Sequence, residues 1–133
     1  MGAYVADQVF KLMHRAGLQV RDARVLVLGL AFKENCPDVR NTRVIDVVRE
    51  LQSYNLDVDI HDPWANPAAA EREYGVQLID QPQAGCYDAI VLAVAHRQFR
   101  ELGSKGIRAF GKPRCVLYDV KHVLPAGAVD GRL

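Results

Sequence analysis

Two unbroken apolar runs, Val25-Leu26-Val27-Leu28-Gly29-Leu30 and Ala89-Ile90-Val91-Leu92-Ala93-Val94, constrain this chain more than any other feature. Side chains along a strand point alternately to opposite faces, so a strand with one wet face alternates apolar and polar residues. A strand without that alternation is covered on both faces, as in a parallel sheet between two layers of helices. Arg24–Leu30 and Tyr87–Val94 are therefore expected to be central strands.

The segments between them read as crossovers and edges. Val5, Val9, Leu12 and Met13 recur at helical spacing between Ala3 and Ala16, and Gly17 ends that helix. Asn41 is expected to cap a helix carrying Val44, Val47, Val48 and Leu51 as far as about Tyr54. Val58–His61 is a short strand stopped by Asp62-Pro63. Pro67–Tyr74 forms a helix opened by proline and closed by Gly75. Val76–Ile79 reads as a brief strand, the stretch around Phe99 and Leu102 as helix, and Cys115–Asp119 as the last strand before an irregular tail from Pro125. The fold expected is α/β, a Rossmann-like three-layer sandwich with a mainly parallel sheet and right-handed crossovers. One helix, within residues 1–20, precedes the unit 21–133 and could pack apart from it.

Charge and cysteine usage exclude several functions. Seventeen Lys+Arg against 16 Asp+Glu leave +1, so there is no broad basic footprint for nucleic acid or an anionic membrane, and any anion site must be local. Cys36, Cys86 and Cys115 lack the pairing and spacing of a disulfide framework or zinc site, which implies a reducing, cytoplasmic setting. No apolar run approaches the roughly 18–20 residues that cross a bilayer, and no export leader is expected at the amino terminus. Met1-Gly2 opens like a myristoylation signal, but Ala6 stands where Ser or Thr is needed. His14, His61, His96 and His122 have no metal-ligand spacing and read as solvated or core histidines. His61 and Asp62 are adjacent on a strand and point apart, which leaves them no joint catalytic role.

Ligands of open parallel sheets collect beyond the carboxyl ends of the strands, where helix N-termini favour anions. The first such loop is Gly29–Thr42. It lacks the G-x-G-x-x-G that lets a dinucleotide pyrophosphate touch backbone, but it offers Lys33 just past the strand and Arg40 just before the helix, both suited to phosphate oxygens. The alternative is that Lys33 and Arg40 pair with Glu34 and Asp38 in a neutral, solvated loop. Cys36 lies on the same loop with no base beside it to make it a nucleophile. Lys121, in Asp119-Val120-Lys121 at the end of another strand, either faces the same crevice or is a plain surface lysine.

The stretch Leu28-Gly29-Leu30-Ala31-Phe32-Lys33-Glu34-Asn35-Cys36-Pro37-Asp38-Val39-Arg40-Asn41-Thr42 resembles the opening of the carboxyl-terminal, UDP-binding domain of the UDP-glucose/GDP-mannose dehydrogenase family. Glu-Asn-Cys-Pro-Asp and Arg-Asn-Thr are most similar to the bacterial UDP-N-acetylhexosamine (GlcNAc/GalNAc) 6-dehydrogenases of surface polysaccharide biosynthesis. His61-Asp62-Pro63, Ala93-Val94-Ala95-His96 and Asp119-Val120-Lys121 resemble later strand ends of that family, and Met1–Ala6 resembles the end of its central dimerisation helix. The resemblance implies a longer, homodimeric, NAD-dependent enzyme that oxidises a sugar C6 alcohol to a carboxylate in two steps. In such an enzyme an amino-terminal domain binds NAD and supplies a cysteine in a Cys-Phe-Pro-Lys context, which does not occur here. It implies that residues 1–20 end the central helical segment, that 21–133 bind the UDP-sugar, and that the chain alone is inactive, with no catalytic residue; the histidine spacing already leaves no metal site expected. Phe32 and Lys33 match the family's substrate-contacting pair, Arg40 an arginine that reaches NAD, and Lys121 a position where relatives carry an arginine near uridine or phosphate. Two other readings compete: a self-contained oxidoreductase, opposed by the missing glycines, and a non-enzymatic flavodoxin- or receiver-like module. The latter needs clustered acids at strand ends, for which only Asp62 and Asp119 are candidates.

Overall fold

The computed structural model describes residues 2–133; Met1, the first residue of the amino-terminal motif, lies outside the described residues. Five strands, β1 (Arg24–Leu28), β2 (Asp57–His61), β3 (Tyr87–Leu92), β4 (Gly111–Asp119) and β5 (Gly131–Arg132), form one sheet in the order β2-β1-β3-β4-β5. All neighbours are parallel, with Val27 opposite Ile60 on one side and Val91 on the other. Helices α1 (Gly2–Arg15), α2 (Val44–Ser53), α3 (Pro67–Tyr74) and α4 (Arg97–Arg108, broken at Gly103) flank it.

The unbroken apolar runs do what their pattern requires. Val25, Val27, Ala89 and Val91 point into a core closed by Val5, Val9 and Met13 of α1 and by Val48 and Leu51 of α2. The intervening Leu26, Leu28, Ile90 and Leu92 point into a second core closed by Phe99 and Ile107 of α4. Large side chains buried this fully contribute about 1.5–3 kcal/mol each. No helix among the described residues is long and apolar enough to cross a membrane.

Four expectations change. The leading helix does not pack apart: Val5, Ala6, Val9 and Met13 have no exposed surface and share the core of the sheet. Asn41 is not a helix cap; it takes a positive φ of 62°, which asparagine tolerates, and Thr42 Oγ1 accepts the Val44 amide at 3.2 Å as α2 begins. Val76–Ile79 supplies only a single bridge, Leu78 to Ile60. Cys115–Asp119 is the second half of a longer strand and not the last one, because the tail returns to pair Gly131 with Tyr118. Arg108 holds that return by donating to the carbonyls of Cys115 and Ala128 and to Asp130. A two-residue strand paired only through backbone leaves no side-chain pattern to read.

The two ends of the sheet differ. At the amino ends, Asp59 accepts from Arg24 at 2.9 Å and from the Tyr87 hydroxyl at 2.6 Å, the Arg24 guanidinium lies over the Tyr87 ring, and Lys112 meets Asp88. Burial first, then the Asp59 bond, pushes the Tyr87 phenol above its ordinary range. The carboxyl ends are open, and the chain reverses its direction of travel across the sheet between β1 and β3, the point at which such sheets hold ligands. Gly29, directly after β1, draws those two strand ends together. Its φ is +101°, and a Cβ there would lie 2.5 Å from the Val94 Cβ and 2.9 Å from the Val94 nitrogen. Gly29→Ala is therefore expected to cost about 3 kcal/mol from backbone strain and overpacking, read as a lower urea midpoint at unchanged m-value.

Candidate functional site

A cleft of about 470 Å³ opens at the carboxyl ends of β1, β3 and β4. Its apolar floor comes from Ala31, Ala93, Val94 and Val120 with Val44 and Val47 of α2, and its rim carries Phe32, Lys33, Arg43, Arg100 and Lys121. Glu34 is the one acid in the lining. Phe32, next to Lys33 in the chain, is 54% exposed.

The loop that presents these residues is shaped by a carboxylate. Asp62, just past β2, accepts five donors: the amides of Leu30 (2.6 Å), Ala31 (2.9 Å), Trp64 (2.7 Å) and Ala65 (2.8 Å), and Nε2 of His96 (2.9 Å). Both side chains of the Asp62–His96 pair are wholly buried. Burial alone would raise the Asp62 carboxyl; the His96 bond and the amides of Leu30, Ala31 and Ala65 outweigh it and hold it at about 2. On its other side the His96 ring accepts the Asn35 amide at Nδ1, 2.9 Å away. This network assigns a neutral imidazole with its proton on Nε2. Asn35, at φ +55°, also accepts the Arg97 amide through Oδ1 at 2.8 Å, so the loop is pinned to the start of α4.

Lys33 and Lys121 line the same cleft, and neither has an ion-pair partner among the described residues. Asp119, fully buried, accepts the amides of Lys121 and Leu124 and so builds the turn that presents Lys121. Arg40 stands elsewhere. It lies in a neighbouring open groove with Asp38, Arg72 and Glu73, and its guanidinium meets Asp38 through Nε at 3.1 Å and a terminal nitrogen at 3.2 Å. Of the two cations on this loop, Arg40 pairs with its neighbouring acid and Lys33 does not. Glu34 instead approaches Arg100 at 3.8 Å, an exposed contact of small energetic weight. Cys36 is half-buried on the loop, and the Cys115 thiol is pushed up to about 12 chiefly by burial.

Sequence reasoning missed the pair at the centre of this arrangement. It set His61 and Asp62 aside because neighbours on a strand diverge, and the partner of Asp62 is His96, 34 positions away. The available signal was positional: Asp62 follows β2 and His96 follows β3, both at the ligand-binding edge of the sheet. The two acids that a receiver-like module would need, Asp62 and Asp119, are both occupied by backbone amides, and no group of three or more metal-ligating side chains occurs among the described residues. A dinucleotide cradle does not fit this loop either, because the Leu30 and Ala31 amides that would face a pyrophosphate are spent on Asp62.

The strand order is shared by several kinds of protein, so the fold does not decide among them. Residues 26–126 match the family model described as the UDP-glucose/GDP-mannose dehydrogenase family, UDP binding domain. The chain belongs to the UDP-glucose/GDP-mannose dehydrogenase family. It is 52% identical over its whole length to a UDP-N-acetyl-D-glucosamine 6-dehydrogenase of Salmonella typhi and 50% identical to one of Pseudomonas aeruginosa, covering 31% and 32% of those proteins. It thus spans about a third of the length of these curated relatives. In fold it is similar to a crystal structure of NDP-N-acetyl-D-galactosaminuronic acid dehydrogenase from Methanosarcina mazei Go1, with a TM-score of 0.81 at 23% identity, covering 93% of this chain and 26% of that one. Within the UDP binding domain of this family, the flavodoxin- or receiver-like alternative has no support.

The buried carboxylate gives this domain a defined acid response. The Asp62 carboxyl is held at about 2, below its ordinary 3.8, so its stabilisation is whole above pH 3.8 and is lost as pH falls through about 2. Asp62→Asn should lower stability at neutral pH by about 3 kcal/mol. Urea midpoints measured from pH 6 down to 2 should converge for the two proteins at the acid end.

Proposed function

We propose that this chain is the UDP-sugar-binding domain of a longer, cytoplasmic, NAD-dependent nucleotide-sugar 6-dehydrogenase that makes uronic acids for surface polysaccharide. The observation that carries this reading is the pairing of two uncompensated lysines, Lys33 and Lys121, on one cleft at the switch point of the sheet, beside the exposed Phe32. A nucleoside diphosphate asks for this combination: point charges for the phosphate oxygens, an aromatic or apolar surface for the base or sugar, and few competing acids. Relatives 50–52% identical that are named as UDP-N-acetyl-D-glucosamine 6-dehydrogenases support an N-acetylhexosamine as the sugar.

In this reading the domain works by position. Lys33 and Lys121 hold the diphosphate and Phe32 braces the adjoining ring, so that the sugar C6 is offered to reacting groups outside these residues. Binding energy collected far from the reacting carbon then lowers the barrier at it. NAD is assigned to the rest of the longer protein, where its chemistry is to take up hydride; within this chain only Arg40, in its separate exposed groove, is offered as a contact to it. Residues 1–20 are taken as the end of a central dimerisation segment, supported by Tyr4 and Phe10, exposed at 55% and 36% on α1. The chain alone is expected to turn over nothing.

In the full-length enzyme Lys33→Ala should lower kcat/KM at least tenfold, about 1.4 kcal/mol, with most of the change in KM. Steady-state kinetics with the UDP-sugar varied would test this, and unchanged constants would remove Lys33 from the site.

A further inference from the structure

The loop that carries Phe32 and Lys33 is tethered unevenly. Its start is fixed by the Leu30 and Ala31 amides on Asp62, and its end by the Tyr74 hydroxyl donating to the Val39 carbonyl at 2.6 Å and the Asn66 amide donating to Pro37. Between these, the segment around Lys33, Glu34 and Asn35 is held to the body of the domain at Asn35, through Nδ1 of His96 and the Arg97 amide. The Glu34–Arg100 contact is exposed at 3.8 Å and adds little. His96 itself has no exposed surface and does not line the cleft, so it touches no ligand there.

We propose that His96 is a positioning residue for the nucleotide sugar: with Asp62 fixing its tautomer, its Nδ1 sets the Asn35 amide and thereby the place of Lys33 at the cleft. The proposal rests on the reading of the cleft as the UDP-sugar site. The chemistry is directional. A carboxylate accepts only, so Nε2 must donate; Nδ1 is then an acceptor, which is what a backbone amide needs. A buried aspartate at the end of β2 thus decides whether a loop amide on the far side of the ring has a partner. Through one imidazole, the strand end that closes the second crossover reaches the loop that follows the first strand.

Two substitutions separate this role from simple structural support. In His96→Gln the side-chain amide extends to the Nε2 position and can still donate to Asp62, while nothing stands at Nδ1. In His96→Asn the amide oxygen falls near Nδ1 and can accept from Asn35, while the donor to Asp62 is lost. In the full-length enzyme, His96→Gln should raise KM for the UDP-N-acetylhexosamine about fivefold, the loss of roughly one hydrogen bond, with kcat little changed and the urea midpoint lowered by no more than that one bond accounts for. His96→Asn should do the reverse, lowering the urea midpoint with KM within about twofold of wild type. If KM in the two variants simply follows their loss of stability, or if His96→Gln leaves KM unaltered, His96 is structural and the proposal is overturned.

Asn35→Ala gives a third measurement, which serves if a His96 variant does not fold. It loosens the same loop segment by removing the acceptor for the Arg97 amide, while the Asn35 backbone amide stays on His96; if the place of this segment sets Lys33, KM should again rise, and an unchanged KM removes the link from Asn35 to Lys33 on which the proposal depends. Lys33→Ala, run alongside, distinguishes the two levels of failure. A rise in KM for Lys33→Ala without one for His96→Gln and Asn35→Ala overturns the positioning role alone, whereas an unaltered Lys33→Ala overturns the reading of the cleft and the positioning role with it.

Discussion

One carboxylate organises the working end of this molecule. Five donors converge on Asp62, four of them backbone amides from two different loops and the fifth the ring of His96. An ionised group in an apolar interior is tolerated only when its lone pairs are filled. Here filling them also ties the exit of β1 to the exits of β2 and β3, so the same bonds that offset the desolvation of Asp62 define the loop geometry. The opposite end of the sheet uses acids differently: Asp59 and Asp88 meet Arg24, Tyr87 and Lys112 in a part-buried ion-pair and hydroxyl network that closes the surface.

The distribution of charge follows from this division. Acids at the carboxyl ends are consumed inside the protein, Asp62 by amides and His96 and Asp119 by the turn that leads to Lys121. Lysines at the same end are left without acid partners. A chain with a net charge of only +1 thereby presents a locally cationic cleft. Overall composition cannot express such a segregation, because it counts residues and not where their partners lie.

The layers of the fold were legible because burial on both faces leaves a residue-level trace. The apolar runs of β1 and β3, the 3.6-residue recurrence in α1 and α2, and the proline start and Gly75 stop of α3 each fix an element from local chemistry. What escaped was non-local. β5 exists because the tail folds back on Tyr118 and is clasped by Arg108, and nothing in Gly131-Arg132 alone announces it. The Asp62–His96 pair joins positions separated by the whole of α3 and β3, and the adjacency of His61 to Asp62 pointed to the wrong partner. Lys33 and Lys121 could be placed at one crevice because strand ends share an edge of the sheet. Arg40, on the same loop as Lys33, turns to Asp38 two positions before it, and loop membership carried no information about that turn.

The burial of α1 has a mechanical consequence. Val5, Ala6, Val9 and Met13 are sealed against the sheet and α2, so swinging this helix away would open the main core. The connection from Ala16 to Ala23 therefore cannot serve as a hinge. From Gly2 onward α1 acts as a rigid handle on the domain: torque applied along it rotates the lysine-bearing edge as one body.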